Sequence, residues 1–227
     1  MKTLLLHGAL ADYTQLVPLS NTLGADFIAL NLPGHGEFSI SNLNDILIPQ
    51  LTEFVENYIL ENQLSQVNIV GYSLGGYIAL NLAHKNPSLV NKIIILGTII
   101  HWDNEVFARE SKMLNPAFLH EKVPAFVQML STKHKTHWKT ILHQTYEMLD
   151  DIKNNQYLSP QCLKQICNQV LLIVGDKDSS AGVEATQHAS IHLSKAQIVI
   201  LENTPHVFEK VNQDVLANHI YSFINND

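Results

Sequence analysis

Three side chains of the types that perform nucleophilic catalysis each stand just after an apolar run. Ser73 is the centre of Gly71-Tyr72-Ser73-Leu74-Gly75, which follows Val67-Asn68-Ile69-Val70 and opens the helix-like run from Tyr77 to His84. A Gly-x-Ser-x-Gly pentapeptide between strand and helix is a nucleophile elbow: the turn is so sharp that the serine is held strained with its hydroxyl exposed. Small residues are needed where the two backbones approach, hence the flanking glycines. A serine hydroxyl is a weak nucleophile at neutral pH, so it needs a base within hydrogen-bond reach and an acid that orients that base. Asp178 follows Val170 to Val174, within Gly175-Asp176-Lys177-Asp178; His206 follows Gln197 to Leu201, within Glu202-Asn203-Thr204-Pro205-His206. In the order Ser73, Asp178, His206, such a set attacks carbonyl carbon.

Stepping along the chain, short apolar runs alternate with longer helical patterns. The strand candidates are Thr3 to Leu6, Asp26 to Leu30, Val67 to Val70, Lys92 to Leu96, Val170 to Val174 and Gln197 to Leu201. Each is nearly continuous in Ile, Val and Leu, as expected for strands buried on both faces of a parallel sheet. Helices are expected over Asn44 to Glu61, Leu74 to Lys85, Gly182 to His192 and Val211 to Ile224. The first carries Ile48, Leu51, Val55, Tyr58 and Ile59 at spacings of three and four. Alternation of this kind implies a doubly wound α/β fold whose site lies at the C-terminal ends of the strands. From about Thr98 to Ser159 the alternation stops and only helical patterns remain, such as Phe118 to Leu130 and Trp138 to Leu149. That stretch is too long for a simple crossover and reads as an inserted helical cap, residues 98–159, on a core of residues 1–97 and 160–227.

Composition narrows the partners. The chain has 227 residues, enough for one α/β domain with an insertion, and 46% of them are hydrophobic. With 14 basic and 21 acidic residues the formal charge is −7, which argues against nucleic acid and against a highly anionic substrate. No apolar run approaches the roughly 20 residues of a membrane span, and Met1 to Leu6 meets His7-Gly8 too soon for a signal peptide. The expectation is a cytoplasmic protein with a small-molecule substrate, no nucleic-acid partner and no membrane association; the sequence carries no signal of oligomeric state. Cys162 and Cys167 read as two free thiols.

The motifs resemble those of the α/β-hydrolase family over nearly the whole chain. They are Leu6-His7-Gly8-Ala9, Asn31-Leu32-Pro33-Gly34-His35-Gly36-Glu37, the elbow, Gly175-Asp176-Lys177-Asp178, and His206 ahead of the last helix. The resemblance implies that Ser73 is the nucleophile, His206 the general base and Asp178 the orienting acid. It implies an oxyanion hole from the backbone N–H groups of Ala9 and Leu74. It further implies a mainly parallel sheet of about six strands, because the family's first two strands have no room ahead of His7-Gly8. The strand at Phe27 to Leu30 is then exposed at one edge. Asn31 stands where many relatives carry aspartate, and Pro205 replaces the glycine common before the histidine.

Several residues compete for these roles. Asp176 is the near rival of Asp178, and Asp103, after the preceding strand, is the position some relatives use for the acid. By resemblance His7 and His35 are structural, holding loops near the site. His134 and His137 could suggest a metal, but they lack an acidic or cysteine partner nearby and read as solvated cap residues. His188, His192 and His219 read as the solvated faces of helices. The cap offers an apolar lining from Trp102, Phe107, Met113, Leu114, Phe118, Phe126, Met129 and Trp138; Tyr77, Trp102, Phe126 and Trp138 are the pocket candidates. The resulting expectation is a carboxylesterase-like serine hydrolase that cleaves a small ester, or thioester-like substrate, through an acyl-enzyme. No metal or organic cofactor is implied, because nucleophile and base are both side chains. The alternatives are a C–C bond hydrolase, a lyase resembling the pyruvate-eliminating enzyme of menaquinone synthesis, or a non-catalytic small-molecule receptor. That lyase usually supplies a substrate-binding arginine where this chain has Tyr77.

Overall fold

The apolar runs form six strands: β1 (Thr3–Leu6), β2 (Phe27–Leu30), β3 (Val67–Tyr72), β4 (Val90–Leu96), β5 (Gln169–Lys177) and β6 (Ala196–Pro205). They lie in one sheet of order β2-β1-β3-β4-β5-β6, every neighbouring pair parallel. The computed structural model describes residues 1–36 and 46–226; Glu37 of the second loop motif and Asn44 of the expected first helix lie outside the described residues. The order places β2 at an edge, as the sequence predicts.

Both faces of the sheet are covered, which is why the strands read as unbroken hydrophobic runs. Successive strand residues point to opposite faces. Leu4, Leu6, Ile69, Ile93, Ile95 and Leu172 therefore enter one buried cluster, while Leu5, Val70, Ile94, Leu96, Leu171 and Ile173 enter the other. Over the first face lie α2 (Ile48–Glu61), α3 (Leu74–Lys85) and α9 (Val183–Ser190); over the second lie α1 (Val17–Leu23) and α10 (Gln213–Asn225). Ile48, Leu51, Val55 and Ile59 form the buried stripe of α2. Burying each such side chain contributes roughly 1.5–3 kcal/mol. In α10 the first helical turn is fixed by Asn212, whose Oδ1 accepts from the amides of Asp214 and Val215. α1 was not legible as a helix: it has only seven residues and ends at Gly24.

Between β4 and β5 the chain forms α4 (Asn104–Ser111), α5 (Pro116–Lys122), α6 (Pro124–His134) and α7 (Trp138–Asn155), followed by α8 (Pro160–Gln165). The helix expected over Phe118 to Leu130 is two helices. Pro124 lacks the N–H that would continue α5 and clashes with the preceding turn, so α5 stops and α6 begins there. Cys162 is half-buried in α8 and Cys167 is exposed after it; both thiols are free. Among the described residues no helix is long and apolar enough to cross a membrane.

Candidate active site

The elbow is built by backbone proximity. A Cβ on Gly71 would strike the carbonyl carbon of Gly75, and one on Gly75 would strike the Leu6 carbonyl oxygen, so neither position tolerates a side chain. Between them Ser73 is forced to φ 50° and ψ −111°, a left-handed backbone that a non-glycine residue adopts at a cost of order 1–3 kcal/mol. Its amide donates to the Leu96 carbonyl (2.9 Å), and its own carbonyl accepts from Gly76 N, Tyr77 N and Thr98 Oγ1. The serine is thus held at the C-terminal ends of β3 and β4 and at the N-terminus of α3.

Asp178 and His206 meet at the ends of β5 and β6. His206 Nδ1 donates to Asp178 Oδ2 at 2.9 Å, leaving Nε2 as the basic nitrogen of the neutral ring. The Asp178 side chain is 3% exposed and that of His206 25%, so the acid is desolvated while the base keeps an open edge. Burial by itself would raise the Asp178 pKa. The hydrogen bond and charge of His206, with the amides of Ala181 and Ser180 on Oδ1 (2.8 and 2.9 Å), outweigh it and hold the carboxyl below its usual range. The rival acids have other occupations. Asp103 caps α4, accepting from the Glu105 and Val106 amides, and Asp176 accepts from Thr204 N at 3.0 Å, tying β5 to the strand that leads to His206.

Two residues at this junction escaped the sequence reading. Gly97, the residue after β4, has φ 60°, and a Cβ there would stand 3.0 Å from Asp178 Oδ2 and 3.2 Å from His206 Nδ1. Tyr72, just ahead of the serine, donates its hydroxyl to the His206 carbonyl at 2.7 Å and lays its ring 5.5 Å from the imidazole. A side chain at Gly97 would need the pair to give by a few tenths of an ångström, and the Tyr72 hydroxyl spans from the elbow to the histidine loop.

The loop after β1 carries Ala9, which is half-buried. Gly8 N donates to Gln15 Oε1 at 3.2 Å. His7 donates from Nδ1 to Gly8 O (2.8 Å) and accepts at Nε2 from Leu32 N (3.1 Å); His35 donates from Nδ1 to Pro33 O (2.9 Å). Both rings are fully buried and clamp the loops after β1 and β2, so burial holds the His7 pKa down to about 4 and that of His35 well below the ordinary value. The expectation of a solvated His134 is overturned. Its ring is buried, accepting at Nδ1 from Gly36 N and donating from Nε2 to Leu10 O, each at 3.0 Å, while His137 donates from Nε2 to Gly36 O at 3.0 Å. No sequence pattern could pair α6 with loops roughly 100 residues earlier. Among the described residues no group of three or more metal-ligating side chains occurs.

Ser73, Leu74, Ala9 and His206 open on one cavity of about 750 Å³. Its wall is largely apolar, with Tyr77, Trp102, Leu114, Phe126, Met129 and Met148 among the lining residues. Trp138 is not in that wall: it meets His120 edge-on at 5.7 Å instead. Phe107 likewise packs on Tyr146 at 5.3 Å, and Phe118 is exposed.

A parallel sheet with helices on both faces and a strained serine at the strand–helix turn defines a class of protein, and comparison with known proteins agrees. The chain matches the family model described as alpha/beta hydrolase fold over residues 4–142. It belongs to that family and is an enzyme of it. The match takes in Ser73 but ends ahead of Asp178 and His206. The chain is similar to an uncharacterized hydrolase, YugF, of Bacillus subtilis (strain 168), 24% identical over 242 residues that cover 96% of this chain and 88% of that one. Among solved structures it resembles a putative lipase from Acinetobacter baumannii AYE (TM-score 0.81, 20% identity, 98% of this chain and 83% of that one). It also resembles an esterase from Exiguobacterium antarcticum (TM-score 0.80, 17% identity, 100% of this chain and 92% of that one). At those identities the structural likeness bears on the fold alone.

Proposed function

We propose that the chain is a serine hydrolase that cleaves a small, neutral carboxylic ester through an acyl-enzyme. One observation carries the reading: a strained serine and a histidine already paired to a buried aspartate share one apolar cavity. Ser73 Oγ attacks the ester carbonyl carbon as His206 Nε2 takes its proton. Asp178 stabilises the imidazolium that forms. The backbone N–H groups of Ala9 and Leu74 receive the oxyanion, each such donor being worth about 10²- to 10³-fold in rate. Collapse expels the alcohol with the proton from His206, and water then releases the acid by the same steps in reverse roles. No step calls for a metal or organic cofactor.

Residues 98–159 act in this reading as the cap of the pocket, since Trp102, Met113, Phe126 and Met148 line it. The charged residues among the lining are Glu110 and Glu209, with no lysine or arginine among the described residues of the wall, which suits a neutral substrate. The same feature speaks against the lyase reading, whose substrate carboxylates require a cation, and position 77 is a tyrosine.

A fluorophosphonate probe tests the reading. It is expected to label the native protein and not Ser73→Ala, and p-nitrophenyl esters of short to medium acyl chains are expected to be turned over. Equal labelling of Ser73→Ala, or folded protein that neither labels nor turns over any ester, would overturn it.

A further inference from the structure

The reaction needs two loops to hold still against each other: the one after β1, with Ala9, and the one after β6, with His206. One side chain bonds to both. Gln15 closes a short 3₁₀ helix, Tyr13–Gln15, whose start is capped by Asp12. Its Oε1 accepts from Gly8 N at 3.2 Å, and its Nε2 donates to Glu209 Oε1 at 3.4 Å, across 194 residues of sequence. Gly8 directly precedes Ala9, and Glu209 lies three residues after His206. Gly8, Gln15 and Glu209 border the same cavity as Ser73 and His206.

The Gln15 amide can face only one way. Gly8 N is a donor and demands the side-chain oxygen, whereas the Glu209 carboxylate only accepts and demands the NH2 group. Both partners therefore select the same orientation. Gly8 also rests on the elbow: a Cβ there would stand 2.8 Å from Cδ1 and Cε1 of Tyr72 and 3.5 Å from Cβ of Ser73. Tyr72 in turn bonds the His206 carbonyl and lays its ring 5.1 Å from that of Phe208, the residue before Glu209. Gly8 is thus tied to the base loop twice, through the Tyr72 ring and through Gln15. Gln15 is half-buried and Glu209 exposed, so their bond adds little to folding stability. What it supplies is registration. Misplacement by about 1 Å can cost about 10²-fold in rate.

We propose that Gln15 is a positioning residue of the hydrolytic reaction, holding the oxyanion loop in register with the base loop through Gly8 and Glu209. The inference rests on the hydrolase reading. Gln15 acts through Gly8, whose neighbour Ala9 receives the oxyanion in that reading, and through Glu209, in the loop that carries the base.

Exchanging the two side chains tests this. Gln15→Glu keeps an acceptor for Gly8 N but sets a carboxylate against the carboxylate of Glu209. Glu209→Gln keeps an acceptor for Gln15. In Gln15→Glu/Glu209→Gln the carboxylate at position 15 accepts from Gly8 N and the amide at position 209 donates to it, so the bridge is rebuilt with its polarity reversed. On p-nitrophenyl butyrate, Gln15→Glu is expected to lose about tenfold in kcat with KM within about twofold, and Glu209→Gln no more than about threefold. The double variant is expected to recover to within about threefold of wild type, a coupling that independent effects would not produce.

The rate of fluorophosphonate labelling gives a readout without turnover. Ser73 Oγ attacks phosphorus, fluoride leaves, His206 takes the hydroxyl proton and the phosphoryl oxygen stands in for the oxyanion. That rate is expected to fall about tenfold in Gln15→Glu and to recover in the double variant. Melting temperatures are expected to stay within about 3 °C of wild type, since both side chains are partly exposed. A Gln15→Glu variant within twofold of wild type in both rates overturns the positioning role. So does a double variant that does not recover, or a loss that follows the melting temperature. Absence of ester turnover, with labelling that still falls and recovers across the exchange, keeps the bridge and overturns the ester reading; wild type that neither labels nor turns over ester overturns both.

Discussion

The Leu10 carbonyl accepts a hydrogen bond of 3.0 Å from Nε2 of His134, across 124 residues of sequence. Leu10 has φ 61°, a left-handed conformation for a side chain branched at Cγ, and it directly follows Ala9. The neighbour of His134, Lys133, bonds Asp12 Oδ1 (2.6 Å) and Thr14 Oγ1 (2.7 Å) in the same loop. Two consecutive residues at the end of α6 therefore hold the loop that carries Ala9.

His134→Ala removes the bonds to Leu10 O and Gly36 N and leaves both backbone groups buried, a loss of about 2–4 kcal/mol. For a chain of this size that is expected to lower Tm by roughly 5–15 °C. If the Ala9 amide receives the oxyanion, kcat for esters falls by more than KM changes. Calorimetry and steady-state kinetics on the same preparation check both; an unchanged Tm would show that the latch contributes little.

Acid stability follows from the buried rings. His7, His35 and His134 all have pKa values held down, by desolvation first, with His7 at about 4 against an ordinary 6.5. Between pH 6.5 and about 4 the unfolded chain binds a proton at His7 while the folded ring does not, and the lowered pKa values of His35 and His134 act in the same direction, so stability rises with pH across that window. Urea midpoints are expected to fall steadily from pH 7 to pH 4. The lowered carboxyls of Asp12 and Asp178 act further down, as pH falls below about 4. A flat urea midpoint between pH 7 and pH 5 would contradict the neutral, buried assignment of the histidines.

Gly97→Ala places a methyl 3.0 Å from Asp178 Oδ2 and 3.2 Å from His206 Nδ1, and does so at a left-handed φ. The expected result is a folded protein whose ester turnover drops by about 10- to 100-fold, because displacement of a base by a fraction of an ångström is costly. Circular dichroism separates this from unfolding. Full activity would mean that the pair shifts without consequence.

Asp178→Asn preserves shape but replaces an acceptor-only partner with one that can stabilise the wrong imidazole tautomer. A loss of about 10³- to 10⁴-fold in kcat is expected. Asp103→Asn is expected to leave kcat within about twofold, since asparagine caps a helix as well as aspartate does. Loss of activity in the second variant alone would move the acid to Asp103.

Much of the arrangement is local and was therefore legible. The parallel sheet follows from unbroken apolar runs; Ser73, Asp178 and His206 each stand within a few residues of a strand end, where short-range patterning locates them. The residues that brace them are not local. Tyr72 reaches a carbonyl 134 positions on, His134 reaches back 124 positions, and Gly97 matters only because two other strands place their loops above it. Trp138 shows the converse, an aromatic residue whose type suited the pocket but whose helix face turned it toward His120.

The sequence by itself determined the order of the strands and the core helices other than α1, the strained turn at Ser73 and the presence of a base and an acid, because backbone sterics and hydrophobic period act over a few residues. Tertiary structure alone decided which carboxylate meets His206, which histidines are buried, and which aromatic residues line the cavity. Those outcomes depend on distances between segments remote in the chain. They are fixed only when the two apolar clusters close on the sheet and exclude water from the polar atoms between them.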